Sequence, residues 1–291
     1  MSYPLELVKK VNKSLEYYLS SVEGEPKILF DAMRYSVFSG GKRFRPILVI
    51  LVAKSFKVSH DKVMPIACAI EFIHTFSLIH DDLPAIDNDK LRRGKPTCHI
   101  KFGEDIAILA GDALFSESLN LVLKQKKYSS DEVVLKLAEE LSKATGTSGM
   151  IAGQVMDIIS NSENVGKETL NFIHNNKTGK LIRASVRCGA IVSNADNYQL
   201  KKFTEFGEHL GLVFQITDDL LDEVGKEKNT GKRTGNDKAL KKITYPSYYG
   251  LKKSKEIAKK EIELAKNSIT DLNLPIQDLI NIADFVLERK S

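Results

Sequence analysis

Apolar residues recur along most of this chain at intervals of three and four positions, which is the spacing of one face of an α-helix. Alternating β-branched residues between Asn-Gly or Asp-Gly turns, which would indicate strands, are absent from the sequence. The helical pattern covers residues 28–39, 46–56, 63–80, 105–125, 131–146, 168–193, 198–224 and 247–267. Several of these segments are apolar on all sides, as helices in the middle of a bundle are. The pattern predicts an all-α protein of roughly ten or more helices.

The polar segments between the predicted helices are short, and none has the composition of a flexible interdomain linker. Apolar residues make up 42% of the 291 residues, which is enough for a substantial core. We therefore expect one domain over residues 1–291. The lysine-rich stretch at 252–268 places its charges along an amphipathic helix and is typical of solvated surface.

The composition limits the expected cellular location of the protein and the classes of partner that it binds. Cys68, Cys98 and Cys188 are far apart and lack CxxC spacing, so they indicate neither a disulfide framework nor a zinc site. The N-terminal segment carries charges throughout and has no signal-peptide core, and no run approaches the ~18 apolar residues of a membrane span. We expect a cytoplasmic protein without stable membrane insertion. The net charge of +5 is mild and gives little support for a nucleic-acid partner.

Two clusters of aspartates each follow an apolar helical segment. The first lies in IHDDLPAIDND at 79–89, and the second lies in FQITDDLLDEVG at 214–225. Asp218 and Asp222 are four residues apart, so on a helix they differ by about 40° and share a face. Like charges at this spacing destabilise a bare helix by a few tenths of a kcal/mol. A bound cation would compensate for that repulsion.

The first cluster combines Asp81, Asp82 and Asp87. On a straight helix Asp87 would be rotated by about 240° from Asp81. Pro84 lies between them and removes a backbone donor, so a local irregularity can bring Asp87 back toward Asp81.

One acidic cluster at a helix end is usually solvated surface, but two of them favour a cavity whose rim holds divalent cations. Mg²⁺ takes one or two carboxylates together with waters and substrate phosphates, so the clusters indicate a phosphate-bearing substrate. A calcium loop is a poor alternative for DNDKLRRG, because Leu91 and Arg92 stand at its fifth and sixth positions.

Basic residues that would contact an anionic substrate directly occur in four segments. SGGKRFRP supplies Lys42, Arg43 and Arg45 after two glycines that allow a tight turn. KLRRGKPT supplies Arg92 and Arg93, which point in different directions and so suit two different phosphate groups. The other two segments are NKTGK and TGKRTG. Together with the acidic clusters, they predict a site for two diphosphates, one bridged by metal ions and one held by side chains alone.

His74 lies seven residues before Asp81, about 20° from the same helix face. A lone histidine on an apolar helix is more often a core residue. Its alignment with Asp81 favours a place in the site instead.

The motifs GGKRFRP, SLIHDDLPAIDNDKLRRGKPTCH, LAGDAL, NKTGKLIRA and FQITDDLLD with GKRTGND follow one another over residues 40–237. In combination they closely resemble the trans-type isoprenyl diphosphate synthases. The nearest likeness is to the short-chain bacterial farnesyl diphosphate synthases, whose first aspartate motif has the same two-residue insertion. The resemblance implies the isoprenoid synthase fold, a helical bundle around a central apolar cavity, usually as a homodimer.

The resemblance also implies roles for matching residues. The metal ligands would be Asp81, Asp82, Asp87, Asp218 and Asp222, which would hold three Mg²⁺ per site. Isopentenyl diphosphate would be held by Gly41, Lys42, Arg45, His74 and Arg93. The allylic diphosphate would be contacted by Arg92, Lys177 and Lys232, with Thr178 and Gln215 beside the reacting carbons. The sequence departs from related enzymes at Asn88 and Lys90, where further aspartates are common, which implies a lower metal affinity.

The implied reaction is ionisation of the allylic diphosphate to a carbocation, attack by the double bond of isopentenyl diphosphate, and loss of a proton to the released diphosphate. No side-chain nucleophile is required. Phe76 lies five residues before Asp81, about 7.5 Å deeper along the helix. The resemblance implies that an aromatic there stops growth at fifteen carbons, while Ser77 leaves some space.

Three alternatives stay open at this point. The first is a geranylgeranyl or longer-chain synthase. The second is a metal-dependent phosphohydrolase, suggested by the pair His80–Asp81, although it would need more metal-ligating histidines. The third is a non-catalytic regulatory subunit, which would have no need for both aspartate clusters.

Overall fold

The computed structural model describes residues 3–20, 24–160, 166–224 and 243–289. These residues form fourteen α-helices, two 3₁₀ turns, one π-helical segment and a two-stranded ribbon. The all-α prediction is confirmed. The helices are α1 (Leu5–Ser20), α2 (Lys27–Val37), α3 (Phe44–Ser55), α4 (Met64–Asp81), α5 (Cys98–Phe102), α6 (Glu104–Lys124), α7 (Asp131–Thr145), α8 (Met150–Ile159), α9 (Lys167–Ile173), α10 (Lys180–Val192), α11 (Asn197–Val224), α12 (Tyr245–Tyr249), α13 (Leu251–Ile269) and α14 (Gln277–Glu288).

Helices α3 and α4 occupy the centre of the bundle. Every residue from Phe44 to Ala53 in α3 is buried, and so is every residue from Met64 to Ile73 in α4. α4 packs against α6, and α3 packs against α10. Each fully buried aliphatic or aromatic side chain contributes about 1.5–3 kcal/mol relative to an exposed one. The helices that are apolar on all sides are therefore the ones that the rest of the fold surrounds.

The chain after α4 makes an irregular turn instead of continuing the helix. The backbone N–H of Asp87 donates to the carbonyl of Asp81 at 2.9 Å, and that of Asn88 donates to Leu83 at 3.0 Å. This turn confirms that the segment containing Pro84 brings Asp87 back beside Asp81.

A short antiparallel ribbon follows, with strands β1 (Leu91–Arg92) and β2 (Lys95–Pro96). Its turn residues Arg93 and Gly94 have φ values of 53° and 74°, as a tight hairpin requires. The sequence pattern did not predict this ribbon, because two residues per strand are too few to show an alternation.

Helices α9 and α10 are joined without a break by a π-helical segment, His174–Gly179. α8 crosses this segment at Gly153, where a Cβ atom would lie 2.2 Å from the backbone nitrogen of Lys177. Only glycine allows this close approach. Short π-helical insertions are frequent at functional sites.

Two helical stretches, His60–Asp81 and Glu104–Lys127, have the length and the apolar composition of a membrane span. The first is 72% buried inside the protein over its most apolar window, and the second is 39% buried. Core helices of globular proteins satisfy the same criterion, so length and composition give weak support for a span.

Candidate active site

The first acidic cluster is formed by the end of α4 and the turn after it. Burial raises the pKa of the Asp81 carboxyl, and the nearby carboxylates of Asp87 and Asp82 raise it further. Lys177 and Arg92 act in the opposite direction without cancelling the effect. Asp87 lies close to Asp81, as the sequence pattern predicted, and the crowding of their carboxylates favours a bound cation.

Asp82 differs from its neighbour because it already has an arginine partner. Its carboxylate is buried and accepts hydrogen bonds from Arg92 Nε at 2.8 Å to each oxygen, and a further one from Arg92 Nη2. Burial is the largest single influence and disfavours the charged guanidinium, but the hydrogen bonds to Asp82 and the negative charges of Asp82, Asp81 and Asp89 together outweigh it and raise the pKa of Arg92. The predicted metal ligand and the predicted diphosphate contact are thus bound to each other.

Lys177 approaches the same cluster from the π-helical segment. Its Nζ donates to Asp157 Oδ2 at 2.6 Å, and its charge lowers the pKa of Asp81. Asp157 lies on α8 and is buried. One turn earlier on α8, Gln154 has both amide atoms buried with no hydrogen-bond partner among the described residues. The sequence analysis missed both residues, although GQVMD places two polar side chains three apart in an otherwise apolar helix.

The second cluster contains one aspartate with a structural role. Asp219 is buried, and it accepts hydrogen bonds from Gln215 Nε2 at 2.7 Å and from the backbone N–H of Tyr245 at 2.9 Å. Its Oδ2 also lies 3.3 Å from His174 Nε2. Gln215, predicted to lie beside the reacting carbons, is therefore held by α11 itself through Asp219.

Asp218 points away from this buried group. Its side chain is 47% exposed and accepts a hydrogen bond from Arg289 Nη2 at 2.7 Å. Arg289 in turn lies over the ring of Phe214, with its guanidinium carbon 3.9 Å from the ring centroid. Asp222 is partly exposed one turn further along α11. The two predicted metal ligands of α11 are thus more accessible than Asp219.

The π-helical segment connects the two acidic clusters. His174 at its start pairs with Asp219, and Lys177 lies three residues later, near Asp81. Thr178 follows and is partly buried. The two clusters therefore flank the same six-residue segment.

A group of basic residues comes from the glycine turn, α3, α4 and the ribbon turn. We use the term cation group for Lys42, Arg45, His74 and Arg93. Arg45 is buried, its Nε has no hydrogen-bond partner among the described residues, and burial lowers its pKa to about 10. Burial also lowers the pKa of Lys42 and of Arg93. Cations with so little hydration favour a bound anion.

His74, on α4, lies near the guanidinium groups of Arg45 and Arg93. Burial lowers its pKa well below the usual value, and the charges of Arg45 and Arg93 lower it further, so the ring is neutral near pH 7. Gly41 provides the surface on which Arg93 lies, since a Cβ atom there would be 2.5–2.7 Å from the guanidinium. The nearby Gly40 carbonyl accepts a hydrogen bond from Arg93 Nη1.

Phe76 faces α6, where its ring centroid is 5.4 Å from that of Phe115, and within α4 it lies 4.9 Å from the ring centroid of His80. Ser77 donates its hydroxyl to the carbonyl of His74 within α4. His80 Nε2 lies 3.1 Å from the carbonyl oxygen of Ile108, so it is engaged with α6. The His80–Asp81 pair therefore does not act as one metal-binding unit of the phosphohydrolase type.

Within the described ranges, no three histidine, cysteine, aspartate or glutamate side chains already converge as a metal site. The donors nevertheless fit a hard cation that also binds waters and phosphate oxygens, since oxygen ligands predominate and Asp81 and Asp87 are crowded together. Lys232, predicted to contact the allylic diphosphate, lies outside the described residues.

Comparison with known proteins gives a consistent result. The polyprenyl synthetase family matches residues 26–275. Farnesyl diphosphate synthase of Geobacillus stearothermophilus is 42% identical over 285 residues, covering 98% of this chain and 96% of that protein. Geranylgeranyl diphosphate synthase of Cyanophora paradoxa is 42% identical over 269 residues, covering 92% and 90%. The crystal structure of an FPP/GFPP synthase from Zymomonas mobilis superimposes with a TM-score of 0.85 at 31% identity, covering 97% and 96%.

The chain therefore belongs to the polyprenyl synthetase family. It is a prenyltransferase with the all-α isoprenoid synthase fold, as its motifs indicated.

Proposed function

We propose that this prenyltransferase condenses isopentenyl diphosphate with dimethylallyl and geranyl diphosphates to give farnesyl diphosphate. The observation that carries the proposal is the ribbon turn, which places Arg92 on the acidic cluster and Arg93 on the glycine turn. Two adjacent residues thus connect a carboxylate site with the cation group. This arrangement suits two diphosphates, one with metal ions and one without.

Mg²⁺, three ions per site, is the proposed cofactor. Bound by Asp81, Asp82, Asp87, Asp218 and Asp222, it supplies neutralisation of the departing diphosphate. Asp82 becomes available as a metal ligand when Arg92 releases it and binds a diphosphate oxygen instead. Lys177 adds a positive charge from the opposite side.

The remaining residues of the site bind and orient. Arg45, Arg93 and Lys42 hold isopentenyl diphosphate, and the neutral ring of His74 donates or accepts a hydrogen bond without adding charge. The buried apolar faces of α4 and α6 exclude the water that would quench a carbocation. The proton lost at the end is accepted by the released diphosphate.

Product length is proposed to depend on Phe76. Its ring packs on Phe115 between α4 and α6, and it lies about 7.5 Å below Asp81 along the helix axis. A tail growing in that direction meets the aromatic pair. Geranylgeranyl diphosphate is the alternative product, since relatives with either name are 42% identical to this chain. Replacing Phe76 with alanine is expected to lengthen the product, and an unchanged distribution by mass spectrometry would argue against this role.

We propose a homodimer with the exposed side of α6 at the interface. Ile108, Leu109, Leu119 and Leu123 are 44–64% exposed and lie within about 100° of one another around the helix. A second copy of the chain, rather than lipid, is the proposed partner of this face, and the cytoplasm is the proposed location. Light scattering should give twice the mass of 32.5 kDa, and Leu109→Lys should shift it toward the monomer.

Incubation of the purified chain with isopentenyl and dimethylallyl diphosphates and Mg²⁺ tests the function directly. We expect a fifteen-carbon prenyl diphosphate and stoichiometric pyrophosphate, and no product after chelation of the metal. A twenty-carbon product would select the alternative synthase. Release of inorganic phosphate without prenyl product would overturn the proposal, and no activity without a second protein would indicate a regulatory subunit.

A further inference from the structure

Glu71 is a buried carboxylate of α4 that the reaction described above does not use. Its side chain is 3% exposed, and its Oε1 accepts a hydrogen bond from Arg43 Nη1 at 2.7 Å. The side chain of Arg43 is 2% exposed. A buried ion pair is often no more stabilising than apolar residues of the same size. A role other than stability is therefore worth seeking for this pair.

Arg43 connects the glycine turn to three helices. Besides Glu71 on α4, its guanidinium donates to the carbonyl of Val37 on α2 at 2.7 Å and to Asn12 Oδ1 on α1 at 2.8 Å. These bonds hold Arg43 in the left-handed region, at a φ of 54°. A non-glycine residue adopts that conformation only where its surroundings enforce it.

The position of Arg43 fixes its neighbours. It is the residue preceding the first turn of α3, and its carbonyl accepts a hydrogen bond from Ile47. Lys42 precedes it directly and Arg45 follows two residues later. Because the Arg43 side chain turns into the core, the backbone on either side presents these two cations to the site.

Glu71 also lies close to the other members of the cation group. It lies three residues before His74 on α4. Its negative charge also acts on Arg45 and Arg93, opposing the effect of burial on the pKa of each guanidinium. The carboxylate therefore lies close to the cations that the proposed function assigns to isopentenyl diphosphate.

We propose that Arg43 and Glu71 are positioning residues that hold Lys42, Arg45 and Arg93 in the geometry that binds the metal-free diphosphate. The inference rests on the proposed function and adds a specific cause for the affinity of one of its two substrates. It predicts that substitution of the buried pair weakens the binding of isopentenyl diphosphate and leaves the binding of the allylic diphosphate nearly unchanged.

Steady-state kinetics of Glu71→Gln give the first test. We expect the KM for isopentenyl diphosphate to rise about tenfold and the KM for the allylic diphosphate to change by less than about twofold. The double variant Arg43→Met/Glu71→Leu removes both charges and leaves no unpaired buried charge, so its melting temperature should be higher than that of Glu71→Gln. Its KM for isopentenyl diphosphate should stay raised, because methionine and leucine cannot make the directional hydrogen bonds.

Two outcomes would overturn the proposal. One is an equal rise of both KM values in Glu71→Gln, which would indicate a general loss of structure. The other is a double variant with wild-type KM for isopentenyl diphosphate, which would make the pair a packing element only. If Glu71→Gln is insoluble, the KM of the double variant for isopentenyl diphosphate tests the proposal by itself. The matched control is Arg34→Met/Glu16→Leu, which removes an exposed ion pair between α1 and α2 and should leave both KM values unchanged.

Calorimetric titration with inorganic pyrophosphate in the presence of a chelator separates this proposal from the proposed function. Without metal, pyrophosphate reports on the cation group itself. We expect weaker binding to both Glu71 variants than to the wild type, and equal binding would contradict the positioning role. A wild-type protein that binds pyrophosphate but forms no prenyl product would contradict the proposed function without contradicting the positioning role.

Discussion

The two acidic clusters each contain an adjacent pair of aspartates, and the second member of each pair is buried in protein contacts. Asp82 is held by the guanidinium of Arg92, a charged partner from the ribbon. Asp219 is held by an amide, a backbone N–H and a histidine ring, all from helices. In each pair the buried carboxylate anchors the cluster, and the other member, Asp81 or Asp218, is a proposed metal ligand.

The anchors differ in how easily they can be exchanged. Arg92 is a residue that a diphosphate can recruit, so the contact between Arg92 and Asp82 can open when substrate binds. The donors around Asp219 are a glutamine of α11 itself, a backbone N–H of α12 and the buried ring of His174, and none of them is a guanidinium or ammonium group. The first cluster is therefore built to rearrange, and the second is built on a fixed support.

The largest expected effect comes from removing the charge of the ligand-facing aspartates. Asp81→Asn should lower kcat about 1,000-fold, corresponding to about 4 kcal/mol of transition-state stabilisation. Asp218→Asn should fall in the same range. A coupled assay of pyrophosphate release measures both, and the exposed Asp61→Asn is the control. A loss of less than tenfold at Asp81 would show that it does not hold the metal.

The next effect concerns the fixed anchor. Asp219→Ala leaves Gln215, His174 and the N–H of Tyr245 buried without their acceptor, and should lower the free energy of unfolding by about 3 kcal/mol. Denaturant unfolding followed by circular dichroism measures it. Asp61→Ala, on the surface, should stay within about 0.5 kcal/mol of the wild type. Equal stabilities of the two variants would contradict the anchoring role.

A smaller change in the free energy of unfolding, and in this case an increase, is expected for Asp81→Asn. Because its pKa is raised in the folded protein, the folded state binds this proton more tightly than the unfolded chain does. That contribution to stability is present at low pH and is lost as the pH rises through the raised pKa. In metal-free buffer at pH 7, Asp81→Asn should therefore be more stable than the wild type by about 1 kcal/mol.

The pH dependence of this gain provides its check. The difference should shrink toward zero below the ordinary aspartate pKa of about 4, where both proteins carry a neutral side chain. Urea unfolding at a series of pH values measures it. A variant that is less stable than the wild type at pH 7 would show that the Asp81 charge is structural, like that of Asp219.

The smallest effect is expected at the ion pair between Asp218 and Arg289. Asp218→Asn removes the charge of a half-exposed carboxylate and leaves the contacts of Arg289 with Phe214 in place, so the loss of stability should be below about 1 kcal/mol. Thermal unfolding at low and high salt measures it, and the difference should diminish with salt. A loss as large as that of Asp219→Ala would mean that the exposed and the buried aspartate of this cluster do not differ as their contacts indicate.

Much of the fold was predictable because its signals are local. The segment 63–80 became α4, and 105–125 became α6, since a helix in a bundle records its buried face in its own periodicity. The approach of Asp87 to Asp81 was also predictable, because Pro84 stops the helix within the motif. The cation group could be predicted from clustered basic residues and from the position of His74.

The missed features depend on contacts between distant segments. Asp157 meets Lys177 because α8 crosses the π-helical segment at Gly153, and no periodicity records such a crossing. The partnership of Arg43 with Glu71 joins residues 28 positions apart, and charge counting alone placed Arg43 with the other loop cations. A carboxylate in an otherwise apolar helical segment, as at Glu71 in MPIACAIEFI, is the signal that could have revealed it.

The π-helical segment has a consequence for the lengths that this chain can tolerate. Each residue of an α-helix turns the chain by about 100°. Deleting the exposed Asn175 would leave an uninterrupted α-helix from α9 to α10, yet it would rotate Lys177 by that angle relative to His174. Either Asp157 or Asp219 would then lose its partner. The extra residue in this segment sets the angle between the side chains of His174 and Lys177. A regular α-helix of any sequence could not direct one of them to Asp219 and the other to Asp157.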